Sequence, residues 1–599
     1  ALGTTVPGAS GNGSNAVTVP LSAFSGDIVF NTLAGDDRLT VDFSGGNFSR
    51  AIRFNGGEST GDSDQLTLTG GGTFADANYR FNNISGADTY NGTIDITGNA
   101  TITYTGLEPV SSTISTTNVT LNYDTTGEVI TVSDAGSNRT TVTSTTAESV
   151  TFANPSGVLQ INPGDTNGNR IDIGNLAASF PASIDINGGD GGDTVNLNGS
   201  ITLASGKSLS VDAHIVYAPN SNSEIQVSGA GTVALTATRN IQLSSGARIL
   251  AADGNVTLSA NRQSPATTGN FIGVEVTTGG TIESVTGDIS LTGRGGDDSS
   301  DNYGVAVRGG IVRSTGTGTD AATITLNGTG GAGTEYNFGV TVDSTGLVTS
   351  TMGDIKIDGI GGAGSGRWNH GVNLSLKSEV SSTGTGTDAA KITIRGTGGA
   401  GSNLRDNGVN MEHTATLVTS IDGDISITGT SNGGSESFGL YLSRGRVEST
   451  GTGANAATIS LNGTGGPNGA GDVGVYLTSD FAVSSEDGNI SITGEGGGGS
   501  FSNDGVLLNG NVTISSTGTT SSAASITITG TGTAGFSSDG VYFNFGDSVS
   551  SVVGPVQIRG TAGGTRASGV SFDNNSSFVT PGMAPVVITG TATGRSSDV

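Results

Sequence analysis

The sequence predicts an all-β fold: a right-handed parallel β-helix, or solenoid, with coils of about 30 residues. Three observations carry this. A nine-residue phrase returns every 67 or 68 residues, as STGTGTDAA at 314–322 and 382–390, STGTGANAA at 449–457 and STGTTSSAA at 516–524. A glycine followed by an alternating apolar segment recurs at Gly273, Gly304, Gly339, Gly371, Gly408, Gly439, Gly474, Gly505, Gly540 and Gly569, at intervals of 31, 35, 32, 37, 31, 35, 31, 35 and 29. V-x-V and I-x-I alternation runs through the chain, whereas no apolar stripe at helical spacing reaches a useful length.

Short and long intervals alternate, so the 67-residue repeat is a pair of coils. Each coil holds three strand candidates, such as GVTV (339–342), LVTS (347–350) and DIKIDG (354–359). Inward Val, Ile and Leu form a ladder core, and outward Thr, Ser, Asn and Asp face water. Glycine is expected to supply positive φ at the corners. The repeated phrase lies between the second and third strands of the long coils and should protrude on one face, copies two coils apart being about 10 Å from each other. Three regions follow. Residues 292–599 carry the two-coil repeats. Residues 200–291 show tighter spacing and read as short coils. Residues 1–199 are β-rich but irregular, and remain open between further coils, a β-sandwich and an irregular β cap.

The chain has 599 residues, 103 of them Gly, no Cys and a formal charge of −28. The acidic balance disfavours nucleic acid and anionic membrane, both polyanions. It suits a self-repelling surface and hard cations such as Ca²⁺. No apolar run is long enough to span a bilayer. Zero cysteine excludes a disulfide framework and thiol chemistry. The first residues, ALGTTVPG, lack a basic and then apolar leader, so either a signal was removed or the chain is a fragment.

GGDGGDTVN at 188–196 matches the calcium nonapeptide G-G-x-G-x-D-x-U-x, with Asp190 and Asp193 as the candidate carboxylates and Val195 as the core plug. The match is isolated, and an Asp-Gly turn explains the same residues. Weaker echoes occur at 33–41 and 60–68, and an acidic loop at 293–302 carries Asp297, Asp298 and Asp301. Asn302, Asn337, Asn369, Asp406, Asp472 and Asn503 each lie two positions before an anchor glycine. They read as a ladder satisfying corner amides, with a row of ligand contacts as the alternative.

Catalysis finds little support. The three histidines lack zinc spacing, and no nucleophile motif has a partner. Asp343, Asp354, Asp358, Asp422 and Asp424 sit at repeat or turn positions. Aromatics collect before the anchor glycines at Tyr303, Tyr336, Phe338, Trp368 and Phe438. Trp368 and His370, in GRWNHGV, mark the corner best suited to glycan contact, and a stacked aromatic ladder over the core is the structural alternative.

The Gly/Thr/Asn-rich coils, the G-x-I-x-I-x-G strands and GGDGGDTVN resemble repeat regions of giant secreted bacterial surface proteins, the filamentous-haemagglutinin-like adhesins and planctomycete or cyanobacterial adhesins with calcium turns. The family's two-partner secretion signature is not recognisable here. The resemblance implies a non-enzymatic, secreted, cell-surface rod: a fibre or adhesin segment that contacts extracellular glycan or joins neighbouring subunits end to end. The competing function is a β-helix lyase or glycosidase acting on extracellular polysaccharide, which needs carboxylates converging in one groove.

Overall fold

The computed structural model describes residues 5–593 apart from 6, 12–16, 33–34, 58–62, 83–89, 165–167, 190, 402–403, 534 and 580–583. It is all-β, with three short 3-10 turns and otherwise strands, most of them paired in parallel, the arrangement of a parallel β-helix or solenoid. The chain divides into two compact units, Ala1–His214 and Ile215–Val599.

In the first unit parallel columns hold the core. Ile52 lies between Ile28 and Ile102, Leu159 between Val119 and Ile184, and Ile171 between Ile130 and Val195. Antiparallel strand pairing, which a β-sandwich would use throughout, lies among the described residues in two insertions, beside one isolated antiparallel bridge between Ser10 and Thr18. Thr73–Phe81 pairs with Gly92–Ile96, which pairs with Ile102–Thr105. Val129–Gly136 pairs with Arg139–Ser144, which pairs with Val150–Ala153. The second insertion reverses at Ser137 and Asn138, both at positive φ (54° and 59°), the conformation that matches a two-residue hairpin turn to strand twist.

In the second unit three columns of strands stack in register. One runs through Val305–Arg308, Val340–Asp343, Val372–Leu374 and Val409–Met411 to Val541–Asn544. A second passes through Ile311–Ser314 and Leu347–Ser350, and a third through Ile324–Thr329 and Ile355–Ile360. Identical or similar side chains stack inward: Val305, Val340, Val372, Val409, Leu440 and Val475 are all fully buried. Each such burial stabilises by roughly 1.5–3 kcal/mol, so the core is a sum over coils rather than one central cluster. The repeated phrase does lie between strands, with residues 317–320 exposed.

Positive φ at corners is supplied by glycines such as Gly279, Gly309, Gly510 and Gly546, between the first and second strands of their coils. The anchor glycines serve a different purpose. None of them has φ in the left-handed region. Their constraint is contact. A Cβ on Gly339 would lie 2.3 Å from Ile360 N and 2.6 Å from Gly371 O, and one on Gly328 would lie 1.9 Å from Gly339 O. Two glycine columns therefore touch where the loop after the third strand returns to start the next coil. Backbone closes the loop base, which holds residues 330–338 and their counterparts at the mouth of the first-strand column.

Candidate functional site

The corner ladder is present. Asn302 N–H donates to Asn337 Oδ1 (3.3 Å), Asn337 to Asn369 Oδ1 (3.1 Å), Asn369 to Asp406 Oδ1 (2.7 Å), and Asp406 to Ser437 Oγ (3.2 Å). Ser437 N–H then donates to Asp472 Oδ1 (2.9 Å) and Asp472 N–H to Asn503 Oδ1 (2.9 Å). All are buried, so each coil satisfies an otherwise orphaned corner amide of its neighbour. Burial pushes the Asp406 carboxyl up to about 7 and that of Asp472 up to about 6.

Two further columns run beside this ladder. Immediately before the anchor glycines stand Tyr303, Phe338, His370, Asn407, Phe438, Val473 and Asp504. On the outward side of the first strands, successive register partners are Ala306, Thr341, Asn373, Asn410, Tyr441, Tyr476, Leu507 and Tyr542. The columns trade size. Tyr303 stacks on Phe338 (5.0 Å) and Phe338 on His370 (5.2 Å), and beneath those rings lie the small, buried Ala306, Thr341 and Asn373. Farther along, the first column shrinks to Val473 and Asp504 while the second grows to tyrosine. At one coil both are small: Asn407 and Asn410.

A groove of about 450 Å³ opens there. Trp368 and His370 wall one side, Phe438 and Tyr441 the other, and it continues past Tyr476 and Asp504 to Tyr542. Trp368 and His370, the corner that the sequence offers for glycan contact, both line this groove. The structure also bears out the ladder alternative, since Trp368 stacks on Tyr336 (4.9 Å) and carries the Arg367 guanidinium 3.8 Å from its ring centre. The two readings are compatible: a ring covers the coil below and offers its remaining surface to the groove.

Charge in the groove is acidic. Arg405 pairs with Glu436 at 2.9 Å, leaving Glu412 and Asp504. Burial raises the Asp504 carboxyl to about 7, with Oδ1 accepting the Asp539 N–H at 2.6 Å. Burial lowers His370 to about 3, so its ring is neutral. His370 Nδ1 accepts the Asn407 N–H at 3.1 Å, which leaves the ring proton on Nε2. Hydroxyls and amides supply further polar contacts: Asn509 Nδ2 donates to Tyr476 Oη (3.0 Å) and Tyr542 Oη to Asp573 Oδ2 (3.0 Å).

Sequence reasoning missed Tyr441, Tyr476, Tyr542, Arg405 and Glu412. A signal existed for the tyrosines. In GLYL, GVYL and GVYF the central residue alternates outward, in a column that is Ala, Thr and Asn in earlier coils.

The other candidates lie elsewhere. Asp193 is buried and its Oδ1 accepts the Asn169 N–H (2.7 Å), while Asn169 Oδ1 accepts the Glu128 N–H (3.0 Å), a short copy of the corner ladder. Asp190 lies outside the described residues, as does Asp62 of the echo at 60–68. Among the described residues no group of three His, Cys, Asp or Glu is placed to hold a metal. Asp354 and Asp424 accept the N–H groups of Lys391 (3.1 Å) and Thr458 (3.0 Å), and Asp422 that of Gly386 (2.6 Å). They staple the repeated loops to the next coil. In the acidic loop, Asp297 accepts the Gly269 N–H (2.8 Å) and Asp301 the Tyr303 hydroxyl (2.7 Å). Among the described residues no helix is long and apolar enough to cross a membrane. No protein-family model, curated protein or solved structure matches the chain.

Proposed function

We propose that the chain is a segment of a secreted bacterial surface fibre or adhesin: a non-enzymatic, right-handed β-helix with coils of about 30 residues that binds extracellular glycan along one face. Right-handed connection is the rule for parallel strands joined by crossovers, which supports the handedness. The observation that carries the function is the groove between Trp368 and Tyr542, where ring surfaces alternate with carboxylate, amide and hydroxyl groups. Aromatic surface packs against the apolar faces of sugar rings, and the polar groups meet their hydroxyls. The experiment is retention of the protein on a panel of immobilised polysaccharides. Retention that falls about tenfold in Trp368→Ala/Tyr476→Ala, with unchanged circular dichroism, supports the reading. Wild type and variant alike failing to bind any polysaccharide would overturn it.

End-to-end contact with another subunit belongs to the same proposal. Val586, Val587 and Ile588 of Val586–Ala592 are exposed, an apolar strand surface that a further coil, of this chain or of another, would cover. Calcium is proposed at the turn bearing Asp190 and Asp193. Added calcium is expected to raise the melting temperature of the wild type and not of Asp190→Ala, and an identical response in both would remove the ion from the account. The enzymatic reading has one observation in its favour, Asp504, whose carboxyl near 7 is suited to proton transfer. Release of reducing ends from a retained polysaccharide, lost in Asp504→Asn, would install it instead.

A further inference from the structure

The groove has a direction and a charge, and both restrict its occupant. Resting on the glycan-binding reading above, we propose that it holds a polysaccharide free of acidic groups, extended along the direction of strand stacking at about one sugar per coil.

Direction follows from register. Asn410, Tyr441, Tyr476, Leu507 and Tyr542 are successive partners on adjacent coils. Four steps at a strand spacing of ~4.8 Å give a platform of about 19 Å. An extended chain of hexoses advances by a comparable distance per residue, so ring contacts recur in step with the sugars. A ligand lying across the coils would meet only one or two of these side chains.

Charge follows from the ion pairs. Arg405 is occupied by Glu436, and His370 is neutral, its Nδ1 holding the Asn407 amide. Glu412 and Asp504 have no cation within ion-pair distance among the described residues. A uronate or sulfated chain would place anions against the Glu412 carboxylate, and above about pH 7 against that of Asp504 as well, in a chain of net charge −28 with no unpaired cation among the described residues of the groove to offset them. Neutral hexoses and N-acetylated amino sugars meet no such penalty, and their hydroxyl and amide groups can donate to the carboxylates.

The test is affinity electrophoresis through gels containing neutral or acidic polysaccharides, followed by calorimetry with neutral oligosaccharides of increasing length. Asn410→Tyr is the blocking variant. It repeats at one coil the side chain that the same column carries at Tyr441 and Tyr476, and it fills the place where both columns are small. We expect retardation by neutral chains and none by polyuronates. Affinity should rise with length and level off at about four to five sugars. Asn410→Tyr should lose tenfold or more in affinity. If polyuronates retard the protein as strongly as neutral chains, or if affinity is independent of length, the proposal falls while glycan binding itself stands. If Asn410→Tyr binds as wild type does, the groove is not the site. If no polysaccharide retards the wild type, the glycan reading fails as well. Folding of the variant is checked independently by its melting temperature.

Discussion

Replacing Gly408 by alanine is expected to destabilise the second unit by about 3 kcal/mol or more, seen as a lowered melting temperature and proteolytic cleavage near the substituted coil. The new Cβ would lie 2.3 Å from Thr430 N, 2.6 Å from Gly439 O and 2.7 Å from Gly429 C. All three atoms are backbone, two in the strand Ile425–Thr430 and one at the entry to Leu440–Ser443, so none can rotate away, and relief requires coils to separate. Separation removes the strand-to-strand contacts that make up the stability of a stacked repeat. Gly386→Ala is the contrasting case. That residue has φ +86° with open space around the Cβ position, so the cost is backbone strain alone, about 1–2 kcal/mol. Equal effects from the two substitutions would show that conformational freedom, and not close approach, explains the anchor column.

The second large effect concerns pH. Asp406 accepts the Asn369 N–H through Oδ1, and its Oδ2 has no hydrogen-bond partner among the described residues. Burial is the first cause of its raised pKa, about 7 against the usual 3.8, and the Asn369 hydrogen bonds only partly oppose it. The folded state therefore holds a proton that the unfolded state has already released between about pH 4 and 7. Stability from this group is complete below pH 4 and declines as pH rises through 7. Glu148, raised to about 8, and Asp504, raised to about 7, act in the same direction. Asp406→Asn keeps the acceptor and removes the charge, as Asn337 and Asn369 do in neighbouring coils. It should raise stability at pH 8 by on the order of 2–4 kcal/mol and change little at pH 4. Asp472→Asn should gain less, because Asp472 uses both oxygens, taking the Ser437 N–H on Oδ1 and the Gly469 N–H on Oδ2 (2.7 Å). Thermal melts of the three proteins at both pH values decide the matter. A pH-independent advantage for Asp406→Asn would place its origin outside titration.

Periodicity in the sequence carried the all-β class, the parallel stacking and the corner ladder at Asn302, Asn337, Asn369 and Asp406, because each rests on a rule local to one coil and repeated in the next. Alternation decides which side chains point inward. A fixed interval decides which residues become register partners. Trp368 and His370 were legible because a lone tryptophan and a histidine break a regular column. The role of the anchor glycines was not legible, since positive φ and close approach both demand glycine and only coordinates separate them. The groove was not legible either. It depends on Asn407 and Asn410 being small together, while Trp368, Phe438 and Tyr441 flank them from other coils. Size compensation between two columns is a property of neighbours about 31 to 37 residues apart, and it is created only when stacking brings those residues within contact distance.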